Sequence, residues 1–248
     1  DKGSIVVRIL TFGSDLLTDS FWKERLQAAW KLRTQLFSIE ETNAFRLIHG
    51  EGDEIPGLII DYYDKNWVIQ AHSTGIYLQL ETISKAIQEA FPEFCDTIYC
   101  KSAQTLPKTG TDFFLYGTNE KTVAKENNIA FNVNWVEGQK TGFFLDQREN
   151  RNLLKHYSKG KKVLNTFCYT GGFSIYAMSA GAELVTSVDI SQKAVDLAAD
   201  NMELNFPGSN HQAVASDVFD FLKENKHEYD LIVLDPPAFA KSIKSKHT

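Results

Sequence analysis

From residue 161 onward, short apolar runs alternate strictly with stretches of helical period. The predicted strands lie at 163–167, 184–189, 212–215 and 230–235, and the predicted helices lie at 172–180, 192–205 and 218–224. Strands joined through helices run parallel, because each crossover returns the chain to the same end of the sheet. The alternation therefore predicts a doubly wound α/β sheet, with the strand at 230–235 buried within it.

The residues before this region have a different pattern, typical of a small α+β domain. Helices are predicted at 19–37 and 76–91, strands at 4–10, 45–49, 58–62, 67–72, 97–101 and 129–136, and a loop at 102–128. Asp146 with Glu149 three residues later matches a capping box at a helix start. We therefore expect three parts, at 1–15, 16–128 and 129–248.

Composition excludes several classes of protein. The net charge is −6, which counts against nonspecific coating of nucleic acid but allows a local basic cleft. Three cysteines that are odd in number and unclustered favour a reducing cytoplasm over a disulfide framework. No apolar run approaches the length of a membrane span, so we expect no membrane partner.

Each predicted strand of the α/β region is followed by a chemically distinctive residue or motif. The first ends in T-F-C-Y-T-G-G-F at 166–173, the second in Asp189, the third is followed by Asp217, and the fourth ends in D-P-P-A-F at 235–239. In a parallel sheet these ends share one edge, where α/β proteins bind ligands. Their conjunction is far more specific than any single member.

The four ends suggest different contacts. Glycines at 171–172 let backbone approach a ligand, but the G-x-G-x-x-G of dinucleotide enzymes is missing, and a plain tight turn explains this loop about as well. A carboxylate at Asp189 can accept both ribose hydroxyls of an adenosine. Asp217 can meet an adenine edge or cap a helix, and the sequence leaves both open.

The D-P-P-A-F motif is the sharpest of the four. Two prolines after a strand fix a rigid exit from the sheet. The carboxylate of Asp235 and the carbonyls of the prolines can then bind the polar edge of a planar base. Phe239 can pack against a base face or beneath the loop.

These motifs, together with G-Q-K-T-G-F-F-L-D-Q-R-E-N-R at 138–151 and R-L-I-H-G-E-G-D-E-I-P-G-L-I-I-D-Y-Y at 46–63, resemble the bacterial large-subunit ribosomal RNA cytosine-carbon-5 methyltransferases. The resemblance implies a Rossmann-like class I methyltransferase sheet, incomplete at its C-terminal side, after a central α+β domain. It also implies that 1–15 is the end of a PUA domain. The implied cofactor is S-adenosylmethionine (S-adenosyl-L-methionine), and no metal is implied.

The resemblance also assigns site residues. Those implied for the cofactor are Phe144, Gln147, Arg148, Thr166, Tyr169, Thr170, Gly171, Gly172, Asp189, Ile190, Asp217, Val218 and Asp235. Those implied for the substrate are Lys140, Pro236, Pro237 and Phe239. From residue types alone, Phe143 and Phe144 are more often core residues, and Gln147 and Arg148 could lie on the surface.

The implied reaction uses a cysteine thiolate that adds to carbon 6 of cytosine, after which carbon 5 takes the methyl group and loses its proton. Asp235 would hydrogen-bond the base and is the implied catalytic residue here. The resemblance places the nucleophilic cysteine beyond Thr248. We interpret Cys168 as a packing residue, and Cys95 and Cys100 as core thiols in or near a strand.

The implied partner is large-subunit ribosomal RNA, of the 23S type, and a homodimer stays open. A guanine-N7 ribosomal RNA methyltransferase is the first alternative, because such enzymes have a similar aromatic-L-D-x-R segment and D-P-P loop. The second is an RNA-binding or assembly protein that holds the cofactor without turnover. A nicotinamide-dependent oxidoreductase is disfavoured by the glycine pattern.

Overall fold

A computed structural model describes residues 7–11, 19–225 and 228–237. The chain divides into two compact units, one formed by 1–128 with 133–145 and the other by 129–132 with 146–248. This division differs from the expected boundary at 129, because residues 133–145 group with the first unit. Each unit is described by itself.

The first unit contains a five-stranded sheet of order β1-β2-β3-β4-β5. The strands are β1 (Ala44–His49), β2 (Leu58–Tyr63), β3 (Asn66–Ala71), β4 (Thr97–Lys101) and β5 (Asp112–Tyr116). Only β3 and β4 pair in parallel, and the other neighbours are antiparallel. A parallel pair needs a crossover, and a helical segment between β3 and β4 provides it.

The α-helices in the described part of this unit are α1 (Asp19–Thr34), α2 (Thr74–Tyr77) and α3 (Leu80–Ala90). The single helix expected at 76–91 is wrong, since the chain forms α2 and α3 instead. Ser73 caps α2 by accepting the amide of Ile76 at 3.3 Å. Trp30 of α1 packs against Trp67 and Phe91, with ring centroids 5.8 and 4.8 Å apart, and these rings lie in the unit's hydrophobic core.

Two further expectations for this part of the chain are wrong. The loop expected at 102–128 contains β5 and a further strand, β6 (Lys121–Glu126). β6 forms a two-stranded sheet with β7 (Ile129–Asn134), and the turn between them places Asn127 and Asn128 at φ of 51° and 63°. Asparagine tolerates this left-handed conformation, which the tightest hairpins require. Residues 7–10 form no strand, and the rest of the strand expected at 4–10 lies outside the described residues.

The second unit contains the parallel sheet that the alternation predicts. Its order is β10-β9-β8-β11, from β8 (Lys162–Thr166), β9 (Leu184–Asp189), β10 (His211–Ala215) and β11 (Leu231–Leu234). All three pairings are parallel. The helices are α4 (Arg148–Ser158), α5 (Gly172–Ser179), α6 (Gln192–Asn205) and α7 (Val218–Glu224). The α/β fold class is confirmed.

The strand order reverses beside β8. From β8 the chain proceeds to β9 and β10 on one side, and then returns to place β11 on the other. In open α/β sheets the crevice outside the carboxyl ends of the strands at such a switch point is where ligands bind. The loop that follows β8 therefore lies where a ligand site is expected.

Two local predictions in this unit are wrong. α4 begins at Arg148 after a 3₁₀ turn at Leu145–Gln147, so its N-cap is Gln147 and not the expected Asp146, and the side chain of Gln147 makes no capping hydrogen bond. β11 is not buried either, since Ile232 and Leu234 are 52% and 64% exposed. It lies at one end of the strand order among the described residues.

Candidate functional site at the carboxyl edge of the parallel sheet

In the loop from Thr166 to Gly172, every second residue from Phe167 onward has a positive φ. Phe167, Tyr169 and Gly171 have φ of 53°, 46° and 77°, all in the left-handed region. For a residue with a side chain this conformation costs about 1–3 kcal/mol and persists only where surrounding contacts impose it. Such strain is concentrated at ligand sites, so this loop is the leading candidate for a binding element.

Contacts on every side hold the loop. The amide of Cys168 donates to the carbonyl of Val188 at 3.1 Å, and the amide of Gly171 donates to the carbonyl of Cys168 at 2.8 Å. The carbonyl of Thr170, a residue that is 3% exposed, accepts the Nδ2 of Asn201 at 3.0 Å. Asn201 is fully buried on α6, and the sequence analysis missed it, because no local motif marks it.

The two glycines of the loop are explained by packing. A Cβ on Gly171 would lie 2.9 Å from the Cβ of Ala198 on α6, and one on Gly172 would lie 3.0 Å from the Cδ of Arg151 on α4. The Cβ directions therefore face protein atoms. Close approach of α5 to α4 and α6 is therefore sufficient to require glycine at both positions, and the expected approach of the loop backbone to a ligand stays a prediction.

Thr166, at the end of β8, is fully buried, and its hydroxyl donates to the carbonyl of Val233 at 2.8 Å. Its side chain thus joins β8 to β11. Tyr169 is half-buried beside it in the loop. Among the residues expected here, Tyr169 is half-buried and the side chain of Thr166 is engaged within the sheet.

Asp189 joins two of the strand-end loops. One carboxylate oxygen accepts the amide of Tyr169 at 3.0 Å, and the other accepts the amide of Ser191 at 3.0 Å. An ionised carboxylate has about four lone-pair sites, so each oxygen keeps capacity for a further donor. Ile190, the next residue, is 74% exposed, which is unusual for a large apolar side chain.

Asp217 caps α7, which is one of the two interpretations that its sequence position allows. Its Oδ1 accepts the amides of Phe219 at 2.9 Å and Asp220 at 3.2 Å. The residue is exposed, so its Oδ2 faces away from these two bonds toward solvent. Val218 is 2% exposed and packs with Leu164 and Val188 in the core, so its side chain is structural.

Asp235, Pro236 and Pro237 follow β11 and are exposed. Phe239, the remaining residue of the motif, lies outside the described residues. Because β8, β9, β10 and β11 are parallel neighbours, Asp189, Asp217 and Asp235 all follow strands at the same edge. Within the described part of the chain, no cation forms an ion pair with any of these three carboxylates. The edge is therefore negative and suited to a ligand that carries positive charge and hydroxyl donors.

The residues expected from the segment at 138–151 fall in both units. Lys140 and Phe144 belong to the first unit, where the Nζ of Lys140 lies 4.2 Å from the centre of the Phe144 ring. Phe143 is a core residue, 2% exposed. Gln147 and Arg148 belong to the second unit, are half-buried, and mark the start of α4.

The three cysteines are buried and free, in agreement with the packing roles expected for them. Burial raises the pKa of Cys168 and of Cys95 to about 12, and that of Cys100 to about 11. Only the thiolate is a good nucleophile, so none of the three is suited to attack at neutral pH.

The described residues contain no cluster of three or more histidine, cysteine, aspartate or glutamate side chains that could hold a metal ion. None of the described helices combines the length and the apolarity that a membrane crossing requires.

Known proteins share both the sequence and the fold. A large-subunit ribosomal RNA methyltransferase I from Alteromonas mediterranea is 42% identical over 252 residues, and that from Aeromonas hydrophila is 38% identical over 251 residues. Each alignment covers 97% of this chain and 63% of the relative, so the chain spans less than two thirds of these curated proteins. The crystal structure of SMU.776, a methyltransferase complexed with SAH, superimposes with a TM-score of 0.81 at 32% identity, over 92% of this chain and 60% of that one.

The family itself is shown by a match to residues 105–245, more than half of the chain. The match includes the strained loop and Asp189, Asp217 and Asp235, so the sheet edge described above lies within the family's own region. The chain belongs to the S-adenosylmethionine-dependent methyltransferase family.

Proposed function

We propose that the protein transfers a methyl group from S-adenosylmethionine to large-subunit ribosomal RNA, at carbon 5 of a cytosine. The observation that carries the proposal is the sheet edge, where a strained loop and three carboxylates follow four parallel strands, and none of the three forms an ion pair with a cation among residues 7–11, 19–225 and 228–237. The names of the relatives support the RNA class. The segment at 138–151 supports cytosine over guanine.

The residues at this edge fit the cofactor. S-adenosylmethionine carries a sulfonium, an ammonium and a ribose diol, and when bound it supplies an electrophilic methyl group. Asp189 is half-buried and keeps acceptor capacity for the two ribose hydroxyls. Ile190 offers an exposed apolar surface beside it, on which a planar adenine can pack. Asp217 keeps one oxygen for the adenine edge or the solvent around it.

The target base would meet the exit of β11. Pro236 and Pro237 restrict the backbone there, so the carbonyls and the carboxylate of Asp235 are held in a fixed direction. A fixed acceptor can hydrogen-bond the amino edge of a cytosine without reorganising during the reaction. Cys95, Cys100 and Cys168 are buried with raised pKa values, so none of the three is proposed as the nucleophile.

The test has two parts, both on the full-length protein. Calorimetric titration with S-adenosylmethionine compares the wild type with Asp189→Asn and with Asp196→Asn, a control at an exposed carboxylate on α6. Mass spectrometry of nucleosides from unmodified large-subunit ribosomal RNA then identifies the product. Cofactor binding that only Asp189→Asn weakens, with 5-methylcytidine as product, supports the proposal.

The other outcomes select the alternatives. Formation of 7-methylguanosine would assign the guanine-N7 activity and overturn the cytosine assignment. Cofactor binding with no methylated nucleoside would assign an RNA-binding or assembly protein without turnover. Absence of cofactor binding by the wild type would overturn the proposal as a whole.

A further inference from the structure

The segment at 139–144 is attached to the sheet of the first unit through a buried hydroxyl. Thr141, 1% exposed, donates its Oγ1 hydrogen to the Oδ2 of Asp61 at 2.6 Å, and the hydroxyl of Tyr63 lies 3.0 Å from the same Oγ1. Asp61 and Tyr63 are both on β2 and are fully buried. Thr141 thus connects the Q-K-T-G-F-F motif to strand β2 of the five-stranded sheet.

Asp61 is fully buried and forms an ion pair with Arg46. The Nε of Arg46 donates to Oδ1 at 2.8 Å and its Nη2 donates to Oδ2 at 3.0 Å. A buried ion pair adds little net stability, because desolvation offsets the attraction, but its geometry is narrowly defined. The fork of Arg46 therefore fixes the orientation of the carboxylate that holds Thr141.

A second attachment lies on another strand. Lys101 of β4 is 8% exposed, and its Nζ donates to the carbonyls of Trp135 and Gly138, the latter at 2.6 Å. Gly142 adds close contact, since a Cβ there would lie 2.9 Å from the carbonyl oxygen of Asn134. Residues 135–142 are therefore constrained from β2, from β4 and from the end of β7.

Lys140, which is exposed, and Phe144, which is half-buried, form a contact pair on this constrained backbone. Lys140 has a φ of 48° and a solvent-exposed side chain, and its ammonium lies 4.2 Å from the centre of the Phe144 ring. The buried network fixes the residue next to Lys140, so it limits where this cation can point. In a chain of net charge −6, a cation held in one place is a suitable contact for an RNA phosphate.

We infer that Asp61 and Thr141 are positioning residues that hold the ammonium of Lys140, stacked on Phe144, as a contact to a phosphate of the RNA substrate. The inference rests on the proposed function for the class of substrate. Neither positioning residue touches the RNA; each acts through Lys140. Their role therefore shows as a coupling between Thr141 and Lys140, which a residue with only a structural role would lack.

The test is a double-mutant cycle on the full-length protein, with protein-free large-subunit ribosomal RNA as the probe. Affinities are measured across a salt series without cofactor for the wild type, Lys140→Gln, Thr141→Val and the double variant. We expect Lys140→Gln to weaken binding about threefold to tenfold and to lower the salt slope by about 0.7–0.9, as the loss of one phosphate contact does. Thr141→Val should weaken binding about threefold, and the double variant should bind no more weakly than Lys140→Gln.

Thr141→Ser is the matched control, because it keeps the hydroxyl that Asp61 accepts, and it should bind within twofold of the wild type. The melting temperature of each variant separates loss of position from loss of fold. Losses that multiply in the double variant, or a serine variant as weak as the valine variant, would overturn the inference. A wild type that does not bind the RNA would instead overturn the proposed RNA substrate, so the two failures are distinct.

Discussion

The carboxylate of Asp189 accepts the backbone amide of Tyr169, which lies 20 residues earlier in the chain, at a distance of 3.0 Å. Tyr169 has a φ of 46°, so the hydrogen bond stabilises a conformation that the residue would otherwise avoid. The same carboxylate also accepts the amide of Ser191. Asp189 thus supports the loop after β8 from β9, in addition to any contact with a ligand.

The first prediction concerns Asp189, which stabilises the loop and is also proposed to contact the cofactor. Asp189→Asn keeps one side-chain oxygen but replaces the other with an NH₂ group. That group is a donor, and it would face a backbone N–H that needs an acceptor. We expect the affinity for S-adenosylmethionine to fall by about 1–3 kcal/mol, the usual loss for an unpaired buried polar group. Calorimetric titration measures the affinity, and urea unfolding measures how much of the loss is due to the loop. Unchanged affinity would remove Asp189 from the cofactor site.

The second prediction concerns Asp235, which is exposed at the exit of β11. Asp235→Asn removes charge at the place where we expect the target base. It should therefore slow methyl transfer to RNA at least tenfold, since about 1.4 kcal/mol of transition-state stabilisation corresponds to a factor of ten. Cofactor affinity should change by less than half as much in free energy. Equal losses in rate and in cofactor affinity would make Asp235 a cofactor ligand instead.

The third prediction separates packing from backbone strain. Gly171 and Gly208 have similar φ values of 77° and 71°, but a Cβ on Gly171 meets Ala198 at 2.9 Å, whereas one on Gly208 meets nothing within 4 Å. Both alanine variants carry the left-handed strain of about 1–2 kcal/mol. Gly171→Ala should lose about 2 kcal/mol more in the free energy of unfolding, because α5 must move away from α6. Urea denaturation of both variants gives the difference, and equal losses would show that the contact with Ala198 is easily relieved.

The parts of the fold that the sequence predicts well are those with local patterns. The alternation after residue 161 marks β8 and β9 and the helices beside them, because strands that are buried on both faces of a parallel sheet have mostly apolar runs. β10 (H-Q-A-V-A) is more polar and more exposed, and its sequence signal is correspondingly weak. The hairpin of β6 and β7 has a polar strand and a pair of asparagines, so its sequence resembles a loop. β11 lies at one end of the strand order among the described residues, and the sequence of a single strand does not specify that order.

The candidate site also has residues that local sequence patterns indicate and residues that they do not. Asp189, Asp217 and Asp235 follow strands directly, so the sequence places all three at one edge. Asn201 contacts the candidate loop through Thr170, which lies 31 residues away in the chain, and only the folded chain brings this pair together. Long-range partners of this kind set the geometry of the site, and one sequence contains no local signal for them.

The last prediction follows from a buried polar chain through the parallel sheet. The Nε2 of His211 lies 2.8 Å from the Oγ of Ser187, which is 2.6 Å from the Oγ of Ser174, and this hydroxyl accepts the Nδ2 of Asn165 at 2.9 Å. Burial lowers the pKa of His211 from 6.5 to about 4. The neutral ring therefore belongs to the folded state, and protonation favours unfolding.

The pH window follows from these two values. Above pH 6.5 the ring is neutral in both states, and its contribution to stability is fully present. As the pH falls from 6.5 to about 4, His211 binds a proton in the unfolded chain but stays neutral in the folded chain, so stability is lost across this range. The loss should reach about 2 kcal/mol, since the ring is only half-buried and solvent screens part of the cost. His211→Gln should remove this part of the acid dependence in urea denaturation between pH 7 and 4, whereas His156→Gln, at an exposed position on α4, should leave it unchanged. An acid dependence that persists in His211→Gln would assign it to other groups, and the chain from Asn165 to His211 would then be a packing feature without a role in acid sensitivity.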